Sequence, residues 1–123
     1  MNPNIDIQVL AEYREQPSKP DRGRFVFSYT ITITNNGDEP AKLISRHWVI
    51  RNAREEQKEV KGEGVVGEQP TIQPGSAYTY TSGAVLETEV GTMGGSYLMQ
   101  RSNGDEFSVT IPTFVLASPM AIH

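Results

Sequence analysis

The 123-residue chain contains no cysteine. This removes disulfide cross-links, thiolate nucleophiles and thiolate metal sites together. Histidine is almost as scarce: with only His47 and His123 present, any nucleophile–histidine arrangement would have to use His47. Long apolar runs are also missing. None exceeds four residues, against about 20 for a helix that crosses a bilayer. The opening MNPNIDIQVLAEY has neither the basic n-region nor the apolar h-region of an export signal. The expected compartment is therefore the cytoplasm, with no membrane partner. Basic residues nearly vanish after Gly62, where Arg101 is the only one of the eleven Lys and Arg. The first half balances ten basic residues against nine acidic ones, the second one against six, for a net charge of −4. Arg46, Arg51 and Arg54 are the nearest approach to a cluster. That is too little for the basic face whose counterion release drives nucleic-acid binding, so no nucleic-acid partner is expected.

What the chain does have is alternation. Ile5, Ile7, Val9, Ala11 and Tyr13 alternate with polar residues, the period-two pattern of a half-buried strand. Gln16 to Arg24, with two prolines and a glycine, reads as a mobile connecting loop. Phe25, Phe27, Tyr29, Ile31 and Ile33 then alternate with Val26, Ser28, Thr30, Thr32 and Thr34, giving one aromatic and β-branched face and one largely hydroxyl face. Asn35-Asn36-Gly37-Asp38 is a turn. Ala41 to Asn52 is the next strand, with Ile44, Trp48 and Ile50 expected on one face and Trp48 in the core. Asn52 to Glu56 turns the chain, and Gln57 to Lys61 returns as an edge strand. Further strands are expected at Ala77–Thr81, Gly94–Arg101 and Glu106–Leu116, the last interrupted by Pro112 at an edge or a bulge. Residues 117–123 read as an extended C-terminal arm. No stretch carries an apolar stripe of helical period. About seven short strands in one domain of residues 1–123 mean an all-β, antiparallel two-sheet β-sandwich. Lys58, Lys61 and Pro112 read as guards of its edges, which leaves monomer or weak homodimer open.

The segment from Lys61 to Met99 holds the functional question. Gly62-x-Gly64-x-x-Gly67 has the spacing that cradles a pyrophosphate when a strand leads through it into a helix. Here Pro70 and Pro74 follow, and they rule out a helix of useful length. No Gly-Lys-Ser/Thr follows either, and Glu63 and Glu68 place carboxylates where a phosphate would sit. The glycines instead suit a bulged or looping segment with positive φ and close strand approach. Paired acids occur at Glu55/Glu56, read as a solvated hairpin tip, and at Glu87/Glu89. The second pair would share one face of an extended strand and, with Glu63 or Glu68, could form a weak hard-cation site. His47 is expected mid-strand with its ring hydrogen-bonded, on the face opposite Trp48. Tyr97 is expected to pack at a corner of the sheet edge, and Met93 and Met99 to pack in the core and under loops rather than bind a soft metal.

Several ordered motifs carry a family resemblance. GEGVVGEQP, Pro74-Gly75 before a tyrosine-rich strand, Thr81-Ser82-Gly83 and Gly91-x-Met93-x-Gly95-Ser96-Tyr97-x-Met99 resemble the bacterial ApaG family. Ser45-Arg46-His47-Trp48 and Ile111-Pro112-x-Phe114 match it too, so the resemblance covers nearly the whole chain. Ala84 departs from it, standing where many relatives carry cysteine. The resemblance implies a fibronectin type III-like sandwich. Similar domains appended to F-box proteins and to a polymerase-delta-interacting protein look like interaction modules. The bacterial genes neighbour a diadenosine tetraphosphate hydrolase, and the family is linked to cobalt resistance and magnesium efflux. None of this implies a particular reaction.

Two functions follow as expectations. The first is a non-catalytic protein-interaction module, whose contact surface comprises two glycine-rich loops: Gly62, Glu63, Gly64, Gly67 and Glu68 in one, Gly91, Met93, Gly94 and Gly95 in the other. Glycine-rich loops with few bulky side chains leave room for an inserted strand or side chain. The second is a sensor binding phosphate, a dinucleoside polyphosphate or a divalent cation (magnesium or cobalt) at the first loop. Neither includes a catalytic residue, a bound cofactor or a resident metal.

Overall fold

A computed structural model describes residues 4–121. The strands are β1 (Ile5–Tyr13), β2 (Phe25–Asn35), β3 (Ala41–Asn52), β4 (Gln57–Glu63), the two-residue β5 (Thr71–Ile72), β6 (Ala77–Leu86), β7 (Val90–Arg101) and β8 (Glu106–Ala117). A three-stranded sheet runs β1-β2-β6 and a five-stranded sheet β4-β3-β7-β8, with β5 adding to the β3 edge beyond β4. Every pairing is antiparallel, and the two sheets face one another as a fibronectin type III-like sandwich. β1 lies against β8. Three strands laid over four from that side leave β4 projecting past β6 on the opposite flank.

Why these strands form is clearest in β2. Phe25, Phe27, Tyr29, Ile31 and Ile33 are all buried, whereas the residues between them are half-exposed. Each large side chain taken from water contributes about 1.5–3 kcal/mol. On the outer face, Thr30 and Thr32 hydrogen-bond the hydroxyls of Thr81 and Thr79 on β6 at 2.8 and 3.1 Å. Between the sheets, Trp48 packs edge-on against Tyr29, Phe114 and Tyr97, with ring centroids 5.3, 6.0 and 6.3 Å apart. At the end of β2 the buried Asn35 donates through Nδ2 to the carbonyls of Glu39 and Ile72 and accepts from the Gly37 amide.

Two bulges explain where the strand faces depart from simple alternation. On β3 the register with β7 shifts between Leu43 and Ser45, so Ile44 is an extra residue and the facing parity flips across it. Leu43, fully buried, takes the core position expected for Ile44. On β8 the shift opposite Gly94 accommodates Pro112 and Thr113. This strand is an edge of its sheet, so the proline satisfies both the edge and the bulge expectations.

Tyr97 corrects a further expectation. It lies on β7, an interior strand, and is 0% exposed, with its hydroxyl bonded to that of Tyr80 from the other sheet. It is a cross-sheet strut rather than an edge or corner residue. β6 and β7 are also longer than the sequence suggests. β6 runs on through Ser82-Gly83-Ala84 to Leu86, and β7 starts at Val90 rather than Gly94.

The segment Gln16–Arg24 contains a 3-10 turn at Pro20–Arg22. Ser18 ties it down, donating to the Arg14 carbonyl at 2.6 Å and accepting from the Val26 amide at 2.8 Å. Past β8, Ser118 donates its amide to the Glu89 carbonyl, and Pro119–Ala121 form a second 3-10 turn. Residues 122 and 123 of the expected arm, with His123, lie outside the described residues. The Ser118 hydroxyl is buried and has no hydrogen-bond partner among the described residues. A buried, unpaired hydroxyl costs about 1–3 kcal/mol. Ser118→Ala is therefore expected to raise stability by about 1 kcal/mol in urea denaturation, and a loss of that size would show that the hydroxyl is satisfied in solution.

Candidate functional site

The glycine motif forms a tight hairpin on the flank where β4 ends. Val65 and Glu68 exchange both backbone hydrogen bonds, at 2.8 and 2.9 Å. The two residues between them, Val66 and Gly67, have φ of +44° and +82°, as a two-residue turn of the primed kind requires. The base of the hairpin is fixed by the bulge on β3. The Ile44 carbonyl accepts from the Gly64 amide at 2.8 Å and from the Gln69 side chain at 2.9 Å, and the Leu43 amide donates to Pro70. Gly64, at φ +61°, sits so close to the returning strand that a Cβ would lie 2.0 Å from the Glu68 carbonyl oxygen.

Gly62 has a different role. It lies on β4 opposite Arg46, and a Cβ there would touch the Arg46 guanidinium at 2.8 Å. The missing side chain lets Arg46 donate to the carbonyls of Glu63 and Gly64, both at 3.0 Å. The electrostatic sense is thus the reverse of a phosphate cradle. The amides of Gly64, Val65 and Glu68 are already donated within the protein, and the carbonyls point at a cation. Val65 is buried beneath the turn, whereas Val66 stands 55% exposed at its tip.

The second glycine cluster is not a loop. Gly91, Met93, Gly94 and Gly95 all belong to β7, because glycines in this stretch serve strand approach rather than turning. Met93 is 1% exposed and Gly91 faces the core side chain of Leu86. Gly94 and Gly95 line a shallow groove of about 330 Å³ on the sheet's outer face, with Val49, Arg51, Thr92 and Thr113. Gly62 and Gly95 sit on opposite sides of β3 and two residues apart along it, about 12 Å from one another at ordinary strand spacing and rise. The structure therefore does not join the two clusters into one loop surface. Sequence reading placed them together because glycine density looks the same in a turn and in a tightly packed strand.

The carboxylates do not converge either. Glu87 and Glu89 lie in the turn between β6 and β7 instead of on one strand face. Glu87 pairs with Arg54 at 3.0 Å, and Arg54 also pairs with Glu56 at 3.0 Å. A hydrogen bond from the Asn52 side chain at 2.7 Å, with the one from Arg54, holds the Glu56 carboxyl below its ordinary pKa. Glu63 is at the far end of β4 from this turn. Glu68 contacts the Tyr78 hydroxyl at 3.5 Å; partial burial first, and the Glu68 charge second, push that phenol up. Among the described residues no three His, Asp or Glu side chains are grouped to hold a metal ion. His47 is on the outer face as expected, its Nε2 2.6 Å from Glu59 on β4. Sequence reasoning missed Val66 and Arg46. The Val-Gly pair at the hairpin tip is a weak turn signal, since valine is rare at positive φ.

A three-on-five antiparallel sandwich whose larger sheet carries a bulge-anchored glycine hairpin at its edge defines the class of this protein. Its family follows from comparison: the ApaG domain matches residues 15–101, and the chain belongs to that family. It is 52% identical over 119 residues to Protein ApaG of Pseudomonas entomophila, covering 97% of this chain and 94% of that one. It is 52% identical over 122 residues to Protein ApaG of Salmonella arizonae, covering 99% and 98%. A crystal structure of the putative ApaA protein from Bordetella pertussis is 45% identical and superposes with a TM-score of 0.92, covering 94% of each chain. No helix among the described residues is long and apolar enough to cross a membrane.

Proposed function

We propose that this ApaG-family protein is a non-catalytic protein-interaction module whose contact is centred on the Val65–Glu68 hairpin. The observation that carries the reading is Val66. A β-branched residue at φ +44° costs about 1–2 kcal/mol relative to an extended one, and this one exposes most of its apolar side chain. Asparagine or glycine would be more stable there, so stability does not account for a valine; a partner's pocket does. The bulge, Gln69 and Arg46 hold the tip rigid, which lowers the ordering cost of association. Supporting the non-catalytic part, His47 is paired with Glu59, and Arg54 is held between Glu56 and Glu87.

The test exploits opposite signs. Val66→Asn is expected to raise the melting temperature, since asparagine tolerates this region of φ, and to abolish capture of the partner from a lysate of the producing organism. If the variant recovers the same proteins as wild type in equal amount, the contact is elsewhere. Amide shifts at residues 61–69 with millimolar magnesium, cobalt or a dinucleoside polyphosphate would replace this reading with ion or phosphate binding.

A further inference from the structure

The four sheet edges of this sandwich are not alike. β4 carries Lys58, Glu59 and Lys61, β8 is broken by Pro112 and a bulge, and β1 carries Asp6 and Glu12. These are the usual devices that stop an edge from pairing with another chain. β6 has none of them. Its ten residues, AYTYTSGAVL, include no charge and no proline, and among the described residues it pairs with β2 along one side only. Alternate residues along a strand direct their amides and carbonyls to the same side, so half the backbone groups of β6 face the open flank. Its C-terminal half also exposes Val85, at 50%.

This free edge lies under a roof. β4 projects past β6 by one strand, about 4.8 Å, and the two border a groove of about 250 Å³ in which Leu86 faces Ile50 and Lys58; Glu56 and Glu87 also line it, with both carboxylates held by Arg54. The inner face of the projecting strand presents Lys58 and the half-buried Val60, which pair with Ile50 and Trp48 of β3. Lys58 forms no ion pair among the described residues. At the other end the slot is closed by the Glu68–Tyr78 contact.

We propose that β6 and the overhanging β4 form a docking slot for one extended segment of a partner protein. The segment adds antiparallel to β6, with an acidic side chain near its N-terminal end facing Lys58 and an apolar one, two residues on, facing Val60. Adding it would turn the three-on-four core of the sandwich into four on four. The overhang decides the occupant. Two-fold pairing of β6 with β6 of a second copy would bring the second copy's β3 into the space β4 holds, so the slot admits a strand and excludes another sandwich. An extended partner gains main-chain hydrogen bonds from the edge and specificity from alternate side chains. The inference goes beyond the hairpin reading and does not depend on Val66.

The test titrates the isotope-labelled full chain with the acetylated, amidated heptapeptide Thr-Asp-Thr-Val-Thr-Val-Thr, and with the same residues in reverse order. The expected result is slowed hydrogen exchange at alternate amides of residues 78–86 with the first peptide, and weaker protection with the second. Lys58→Glu is expected to weaken the first peptide about fivefold, the scale of an exposed ion pair worth up to about 1 kcal/mol. Val66→Asn should leave this binding unchanged, which separates the slot from the hairpin contact. Equal affinity of Lys58→Glu and wild type, shifts confined to residues 64–68, or no protection of β6 at millimolar peptide would each overturn the proposal. So would a two-fold dimer with β6 protected in the absence of peptide.

Discussion

Gly95→Ala is expected to cost more than about 4 kcal/mol, enough to unfold a domain of ordinary stability. Gly95 pairs with Trp48 in the β3–β7 ladder at φ +151°. A Cβ there would lie 1.9 Å from the His47 carbonyl oxygen and 3.1 Å from the Trp48 Cα. Both obstacles are backbone of the neighbouring interior strand, so no side chain can swing aside. Relief requires β7 to move off β3, and that would separate Trp48 from Tyr97 and open the aromatic centre between the sheets. Gly67→Ala provides the control. It also has positive φ, at +82°, but nothing lies within 4 Å of its would-be Cβ, so only the conformational penalty of about 1 kcal/mol applies. Urea denaturation of both variants separates the two costs. A Gly95→Ala protein with wild-type stability would mean that the strands are further apart in solution than this structure places them.

The same glycine shows where sequence reading works and where it stops. Strands that alternate over many residues, β1 and β2 above all, are legible because a two-residue period has one structural meaning. The rejection of a nucleotide loop was legible as well: Pro70 and Pro74 forbid the helix that such a loop needs. The start of β7 was not, because glycine supplies no side chain to show a period; Gly91, Gly94 and Gly95 looked like a surface loop and proved to be the tightest part of the sheet. Ile44 was misassigned for a related reason. A bulge adds one residue without any distinctive composition, yet it reverses the parity of everything beyond it. The hairpin followed from that unseen bulge, since its base hangs from the Ile44 carbonyl. The slot beside β6 depends on which strands end up at the edges, and a sequence does not state sheet order.

The Tyr80–Tyr97 pair is expected to set the alkaline limit of the fold. The two hydroxyls meet between the sheets, with the side chains 6% and 0% exposed. Burial is the main force raising both phenols far above the ordinary tyrosine value, and for Tyr97 the neighbouring Tyr80 adds to it. In the unfolded chain these phenols release protons near pH 10, whereas in the folded protein they keep them. Above pH 10 the unfolded state therefore binds fewer protons than the folded one, and stability must fall as pH rises. Each tyrosine contributes about 1.4 kcal/mol per pH unit to that slope, so the pair contributes about 2.8 kcal/mol per unit. Their stabilisation is fully present below pH 10 and is lost progressively above it. At pH 7 the single variants Tyr80→Phe and Tyr97→Phe are each expected to cost about 1–3 kcal/mol, because each leaves one buried hydroxyl without its partner. The double variant removes both hydroxyls, so at pH 7 it should lie closer to wild type than either single. It should also remain folded at a pH where wild type has unfolded. Urea denaturation across pH 7 to 11 reads both effects. If the double variant showed the wild-type dependence on pH, the alkaline transition would belong to other groups and the cross-sheet strut would be only a packing contact.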